Sequence, residues 1–281
     1  MKSSAAQLQS MYRQQHAGVR GSNYDRAGAE RLFEKYFRFI GEFVPAGTRL
    51  LDVGCGAGWT SLLLSERGYS ITGIDLNAAG FEPAPRGREL QFVAGSAQAI
   101  PFVDGSFDVA ASYAALEHMP DPQAALSEML RVVRPGGAVI VVSPNILCPI
   151  NGLRGVLIHS WRNRPVRRIF LRAPDMPRHP SGNTLPESAY SIVRDSARLV
   201  AKLLRRGYSF SFREPDLRPP FHADNDACYL CNPIDIVRYY RSRGCTIMRD
   251  GYLGRPRWTS LLASGTFVAV RKSGGGSPRM T

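Results

Sequence analysis

The chain reads as an α/β protein with a parallel, doubly wound sheet, interrupted after its fifth strand by a long helical insertion. Three observations lead there. Short, almost continuously apolar runs recur with amphipathic stretches between them, the pattern of strands buried on both faces by crossover helices. A glycine-rich turn follows the first of these runs. The alternation then stops, and residues 144–232 are rich in Pro and Arg before regular patterning resumes.

Taken in order, residues 1–25 are polar, and over 27–44 Leu32, Phe33, Tyr36, Phe37, Ile40, Phe43 and Val44 recur at helical spacing, closed by Pro45 and Gly47. RLLDVG (49–54) is the first strand, and the stretch after its glycine turn is helical to about Arg67. YSITGID (69–75), ELQFVAG (89–95) and SFDVAASY (106–113) are strands two to four. Residues 121–133 carry Leu126, Met129, Leu130 and Val133 on one helical face, and RPGG (134–137) turns into the fifth strand, AVIVVS (138–143). The insertion is expected to hold helices around 151–171 and 186–206, the second opening with Thr184 three residues before Glu187 and with Pro186 in its first turn. PIDIVRYYRSRG (233–244) is a helix, and CTIMRDGY (245–252) with GTFVAVRK (265–272) form a closing strand pair. The expected units are a helical cap (1–48), a core (49–143), the insertion (144–232), a completion of the sheet (233–272) and a flexible tail (273–281).

Composition narrows the function classes. The 281 residues are 44% hydrophobic and 21% charged, enough to bury a core. No apolar run is long enough to span a membrane, and the opening residues lack the apolar centre of a signal peptide, so a cytoplasmic location is expected. Five cysteines (55, 148, 228, 231, 245) in a chain this long read as reduced thiols. The net charge is +13, and it is uneven: residues 1–150 carry 13 Lys+Arg against 14 Asp+Glu, whereas 151–281 carry 23 against 9. All the excess positive charge lies in the half that holds the insertion.

The first half carries the sharper signal. LLDVGCGAGW places Gly54, Gly56 and Gly58 directly after a strand and before a helix, where a backbone must turn sharply and approach a ligand. Asp52 stands two residues before the first of these glycines, and Asp75 ends the second strand, where a carboxylate can accept hydrogen bonds from ribose hydroxyls. A nucleoside-containing ligand follows from that arrangement. The dinucleotide spacing G-x-G-x-x-G fails, because position 59 is Trp.

With LLDVGCGAG, ITGIDLN, GSAQAIPF (95–102), SFDVAASYAALEHM (106–119) and LRVVRPGG (130–137) in this order and spacing, residues 49–143 resemble the class I S-adenosylmethionine (SAM)-dependent methyltransferases of the small-molecule "methyltransferase type 11" group. The resemblance implies a Rossmann-like seven-stranded sheet with its last strand antiparallel, and SAM as cofactor. It implies that Gly54, Gly56 and Gly58 line the methionine part of SAM, that Asp52 approaches its amino group directly or through water, and that Asp75 holds the ribose with Leu76 against the adenine. Ser96 stands where the family usually has Asp beside the adenine amino group, with the Ala97 backbone next to it. Tyr113 and Ala114 would lie beside the methyl donor, and Tyr24 would close over SAM.

Methyl transfer to a hydroxyl needs a proton acceptor, and His118 in ALEHM is the candidate base or substrate-positioning residue; a structural hydrogen bond at a helix start is the other reading. Resemblance also excludes some chemistries. Enzymes methylating amino groups of nucleic acids carry Asn/Asp-Pro-Pro-aromatic after strand four, where this chain has Ser112-Tyr113-Ala114-Ala115, and no cysteine has the Pro-Cys setting of the cytosine-C5 enzymes. Cys228-x-x-Cys231 with His222 falls short of four zinc ligands, so no metal is expected.

Residues 151–218 hold 14 Lys+Arg against 5 Asp+Glu. Three readings stay open for them: solvated arginines on helices packed over the sheet; a lid receiving an anionic substrate, such as a phosphate-linked sugar with or without a lipid tail, or resting on an anionic membrane surface; and nucleic acid. Trp161 in this block, and His222, Asp224 and Asp226 in the polar cluster HADNDACY, are candidate substrate contacts. The expected function is SAM-dependent methylation of oxygen on a small or carrier-linked, sugar-containing molecule, with RNA methylation and non-catalytic SAM binding as alternatives. Oligomeric state is not readable from the chain.

Overall fold

The structure is a computed structural model describing residue 10 and residues 25–76, 89–148, 185–213, 215, 226–251 and 265–274. Its seven strands are β1 (Arg49–Val53), β2 (Ser70–Asp75), β3 (Leu90–Ala94), β4 (Phe107–Tyr113), β5 (Val133–Pro144), β6 (Thr246–Asp250) and β7 (Gly265–Arg271). They form one sheet in the order β3-β2-β1-β4-β5-β7-β6. The first five are parallel, while β7 runs antiparallel to both β5 and β6. The helices are α1 (Arg26–Phe43), α2 (Trp59–Glu66), α3 (Pro122–Val132), α4 (Leu185–Leu204) and α5 (Pro233–Ser242), with a 3₁₀ turn at Leu116–His118.

Alternation along the strands builds two cores. Leu50, Ile71, Val109, Ile140 and Ala269 face α1 and α2, which contribute Phe33, Tyr36, Phe39, Ile40 and Leu63. Leu51, Val53, Ala110, Val139 and Val268 face α3 and α5, which contribute Leu126, Met129, Ile236 and Tyr240. Coverage on both faces is why each strand reads as a nearly unbroken apolar run. Three helices start on a side-chain cap: Asp25 accepts from Gly28 N, Asp121 from Ala124 N and Asn232 from Asp235 N. Helix α2 has no side-chain cap and opens on Gly58 at φ 84°.

One element differs from expectation. RPGG lies inside β5 and does not precede it. Phe107 pairs with Val133 and Val109 with Ala138, so the segment between is a bulge on β5. Gly136 sits at φ 78°, and a Cβ on Gly137 would overlap Asp108 O and Val133 Cγ1. The two glycines that suggested a turn are needed by the bulge. Of the insertion's two expected helices, the second is α4; the first, around 151–171, lies outside the described residues, as does Thr184.

Where the insertion leaves and rejoins the sheet, its two ends meet. Ile146 N donates to Cys231 O at 2.9 Å, and Ser143 Oγ lies 2.7 Å from Cys231 Sγ. All five cysteines are buried and none forms a disulfide.

Candidate functional site

The glycine turn is held by main-chain bonds to the neighbouring strand. Gly54 N and Cys55 N both donate to Ile74 O, at 2.8 and 3.2 Å. Gly54, Gly56 and Gly58 all have left-handed φ, of 75°, 54° and 84°. At Gly54 there is a second reason for glycine: a Cβ would come under 3.0 Å from Ala115 Cβ, closer than real side chains approach. The turn is thus pressed against the end of β4, and Gly56 N donates to Asp75 Oδ2 at 2.9 Å.

Above this turn, at the carboxyl ends of β1 to β4, lies a cavity of about 230 Å³. That is where an open α/β sheet binds ligands. Gly54 and Gly56 form one wall, Asp75 and Leu76 the next, Ser96 and Ala97 a third, and His118 a fourth. Ser96 Oγ accepts from Gln98 N at 3.2 Å, which ties the third wall down. Ala114, at φ 47°, is the one non-glycine residue with positive φ among the described residues, and it too lines the cavity. A left-handed alanine costs of order 1 kcal/mol, and such strain clusters at functional sites.

Three expected residues do not reach the cavity. Gly58 caps α2 behind the turn. The Tyr113 ring packs under α1, 5.2 Å from Phe33 and 5.0 Å from Tyr36 between ring centroids. Asp52 is buried below the turn, where Thr60 Oγ1 and Ser61 Oγ each donate to its Oδ2 at 2.6 Å. Burial lifts its carboxyl from 3.8 to about 6; the Ser61 and Thr60 hydroxyls pull it partly back and Asp75 adds to the rise. Tyr24, Trp161, His222 and Asp224 lie outside the described residues.

The structure gives His118 two carboxylate neighbours, one of them Asp226 from the HADNDACY cluster. His118 Nδ1 lies 3.1 Å from Asp226 Oδ2, and its Nε2 lies 3.7 Å from Glu117 Oε1. Asp226 lines the cavity although it is far from His118 in the chain. It is brought there by main-chain bonds: Cys228 N and Tyr229 N both donate to Glu117 O, at 2.9 and 3.0 Å. Arg213 N donates to Cys228 O and Leu230 N to Ser211 O, so the segment that follows α4 braces the same strip. Ile74, Gly95, Gln98, Ala115, Met119 and Pro120 complete the lining. The position of Asp226 in a polar cluster was the one available hint. Cys228 and Cys231 sit buried in this strip, and burial pushes both thiols up. Among the described residues no cluster of His, Cys, Asp or Glu has the make-up of a metal site.

Comparison with known proteins agrees with this geometry. Residues 51–141 match the family described as "Methyltransferase domain". A protein of Synechocystis named 2-methyl-6-phytyl-1,4-hydroquinone methyltransferase is 38% identical over 133 residues, covering 46% of this chain and 40% of that protein. An uncharacterized methyltransferase of Mycobacterium tuberculosis is 34% identical over 153 residues, covering 53% of this chain and 58% of the other. The chain thus spans about half the length of these relatives. The PH0226 protein of Pyrococcus horikoshii, of known crystal structure, superposes with a TM-score of 0.51 at 16% identity over 87% of this chain and 91% of that one, which shows a shared fold. Residues 51–141 therefore form a methyltransferase domain of the type 11 group, which implies SAM as the cofactor. The residues present fit that group. A turn with no room for a Cβ at Gly54, a carboxylate at Asp75 and an apolar wall at Leu76 face one cavity.

Proposed function

We propose that the protein methylates an oxygen of a small or carrier-linked, sugar-containing molecule, with His118 as the proton acceptor and Asp226 as the residue that orients it. The observation that carries this reading is the contact of Asp226 with His118 Nδ1, on the cavity wall formed by the end of β4. SAM supplies an electrophilic methyl carbon when bound. The chain's own part is to bind, align and remove a proton. Asp75 accepts from the ribose hydroxyls, Leu76 flanks the adenine, and Ser96 and Ala97 stand at its edge. The glycine turn brings main-chain amides to the methionine part, and Asp52 acts on its amino group through water from below. Holding acceptor and methyl group in line supplies ~7–11 kcal/mol of the barrier reduction. A proton on Nδ1 would face the Asp226 carboxylate and would leave Nε2 as the accepting nitrogen. The Synechocystis relative is named for a small-molecule acceptor, a hydroquinone, and the arginines of 151–218 favour an anionic one.

Two measurements test this. Calorimetric titration with S-adenosylhomocysteine should show binding that Asp75→Ala weakens at least about tenfold, the worth of its hydrogen bonds; equal affinity in the two chains would remove Asp75 from the site. Methyl transfer to hydroxyl acceptors, followed with labelled SAM, should fall by about 10²–10⁴ in His118→Ala while S-adenosylhomocysteine binding is kept. Full turnover in that variant would exclude His118 as the base.

A further inference from the structure

Helix α4 buries Leu199 and a charged residue on its inward side and leaves much of its apolar surface outward. Its inward side carries a charge: Lys202 is buried, with its Nζ 2.6 Å from Asp235 Oδ2 and also donating to Ser209 O. Its outward side is apolar. Tyr190 (66% exposed), Val193 (69%), Val200 (54%) and Leu204 (81%), together with exposed Ala197, follow one another at steps of three and four residues and so form one stripe. An ordinary surface helix would turn these residues to the core and leave the lysine in water.

This orientation is locked. Asp235 also accepts from Ser209 N at 3.1 Å and from Asn232 Nδ2 at 2.8 Å, and Arg238 Nη1 donates to Lys202 O at 2.6 Å and Gly207 O at 3.2 Å. Rolling the apolar stripe inward would strip a buried ammonium and a buried carboxylate of each other, which is strongly unfavourable. Among the described residues the stripe is therefore left facing outward. Along one border of it run Arg194 and Arg198, one turn apart, and Arg205 just past the helix end, all exposed. Asp195, on the inward side of this row, engages Arg194 at 2.9 Å and Arg198 at 3.4 Å and holds these two in place.

A flat apolar stripe bordered by arginines has the make-up of a helix lying in a membrane interface. The aliphatic residues enter the acyl boundary, tyrosine sits at the headgroup level, and guanidinium groups fork onto lipid phosphates. We propose that the outward face of α4 seats the protein on a membrane surface containing anionic phospholipid. A partner protein chain would be expected to present carboxylates to the arginine row, and a second copy of this chain would bring its own arginines against it.

The test uses the full chain and sedimentation with vesicles of phosphatidylcholine alone or mixed with phosphatidylglycerol. The wild type should bind the mixed vesicles at least about tenfold better than the neutral ones, with the preference lost at high salt. Val193→Asp combined with Val200→Asp should abolish binding, while S-adenosylhomocysteine affinity and circular dichroism stay as in the wild type, because both side chains are solvent-exposed. Arg194→Gln with Arg198→Gln and Arg205→Gln should remove the anionic preference. Failure of the wild type to bind either vesicle, or unaltered binding by the aspartate variant, would overturn the proposal. So would light scattering that finds a dimer which the aspartate variant splits, since the face would then belong to a second copy.

Discussion

Replacing Asp52 by Asn should change the pH dependence of folding. The carboxyl is 1% exposed at the end of β1, and burial raises it from 3.8 to about 6. Between these two values the folded chain holds a proton that the unfolded chain has released. Stability therefore falls as the pH rises through that window, and the whole cost is present above about pH 6. At about 1.4 kcal/mol per tenfold change in proton affinity, the full cost is roughly 3 kcal/mol. The Asp52→Asn chain lacks the titrating group. The difference in unfolding free energy between the two chains should move in the variant's favour by about 2 kcal/mol from about pH 4 to about pH 7. Any fixed penalty for burying an amide drops out of that comparison. Urea unfolding at a series of pH values, followed by tryptophan fluorescence, measures it. A difference that does not vary with pH would refute the reasoning, because the carboxylate would then be as well solvated folded as unfolded. The same cost bears on ligand binding: an ammonium group brought near Asp52 relieves it, so S-adenosylhomocysteine should stabilise the wild type more than the variant.

Gly54→Ala should cost about 1–2 kcal/mol from its φ of 75° alone. It must also displace Ala115 or the turn, so calorimetry should record at least about a tenfold loss of S-adenosylhomocysteine affinity with circular dichroism unchanged; affinity within twofold of wild type would show that the turn yields freely. Asp235→Ala leaves Lys202 buried without its carboxylate and should lower unfolding free energy by about 3–5 kcal/mol in urea titration, whereas Lys202→Met combined with Asp235→Leu should recover most of that. A loss under about 1 kcal/mol in the single variant would mean that water reaches the pair.

Most of the sheet could be read from the chain because its physics is local. Apolar runs such as 138–143 and glycines that follow a strand announce themselves at short range. What escaped reading depends on tertiary placement. RPGG has the composition of a turn, yet only the register of β4 against β5 makes it a bulge. Asp226 gained its place on the cavity wall through main-chain bonds to Glu117 O, and no local pattern encodes a contact between residues so far apart. Tyr113 ends β4 as expected, but the aromatic face of α1 draws its ring away from the cavity. Lys202 reads as a solvated helix residue until Asp235 and Asn232, from a distant segment, are placed beside it.

The meeting of Ile146 with Cys231 has an evolutionary consequence. Because departure and return are one hydrogen bond apart, the sheet does not register how much chain lies between them, and the entropy of closing a longer excursion grows only logarithmically. That stretch can be lengthened, shortened or exchanged for an unrelated one while β5, β7 and the glycine turn keep their positions. Transplanting it into another protein of the same fold, at the same pair of positions, should carry acceptor preference with it and leave cofactor affinity behind.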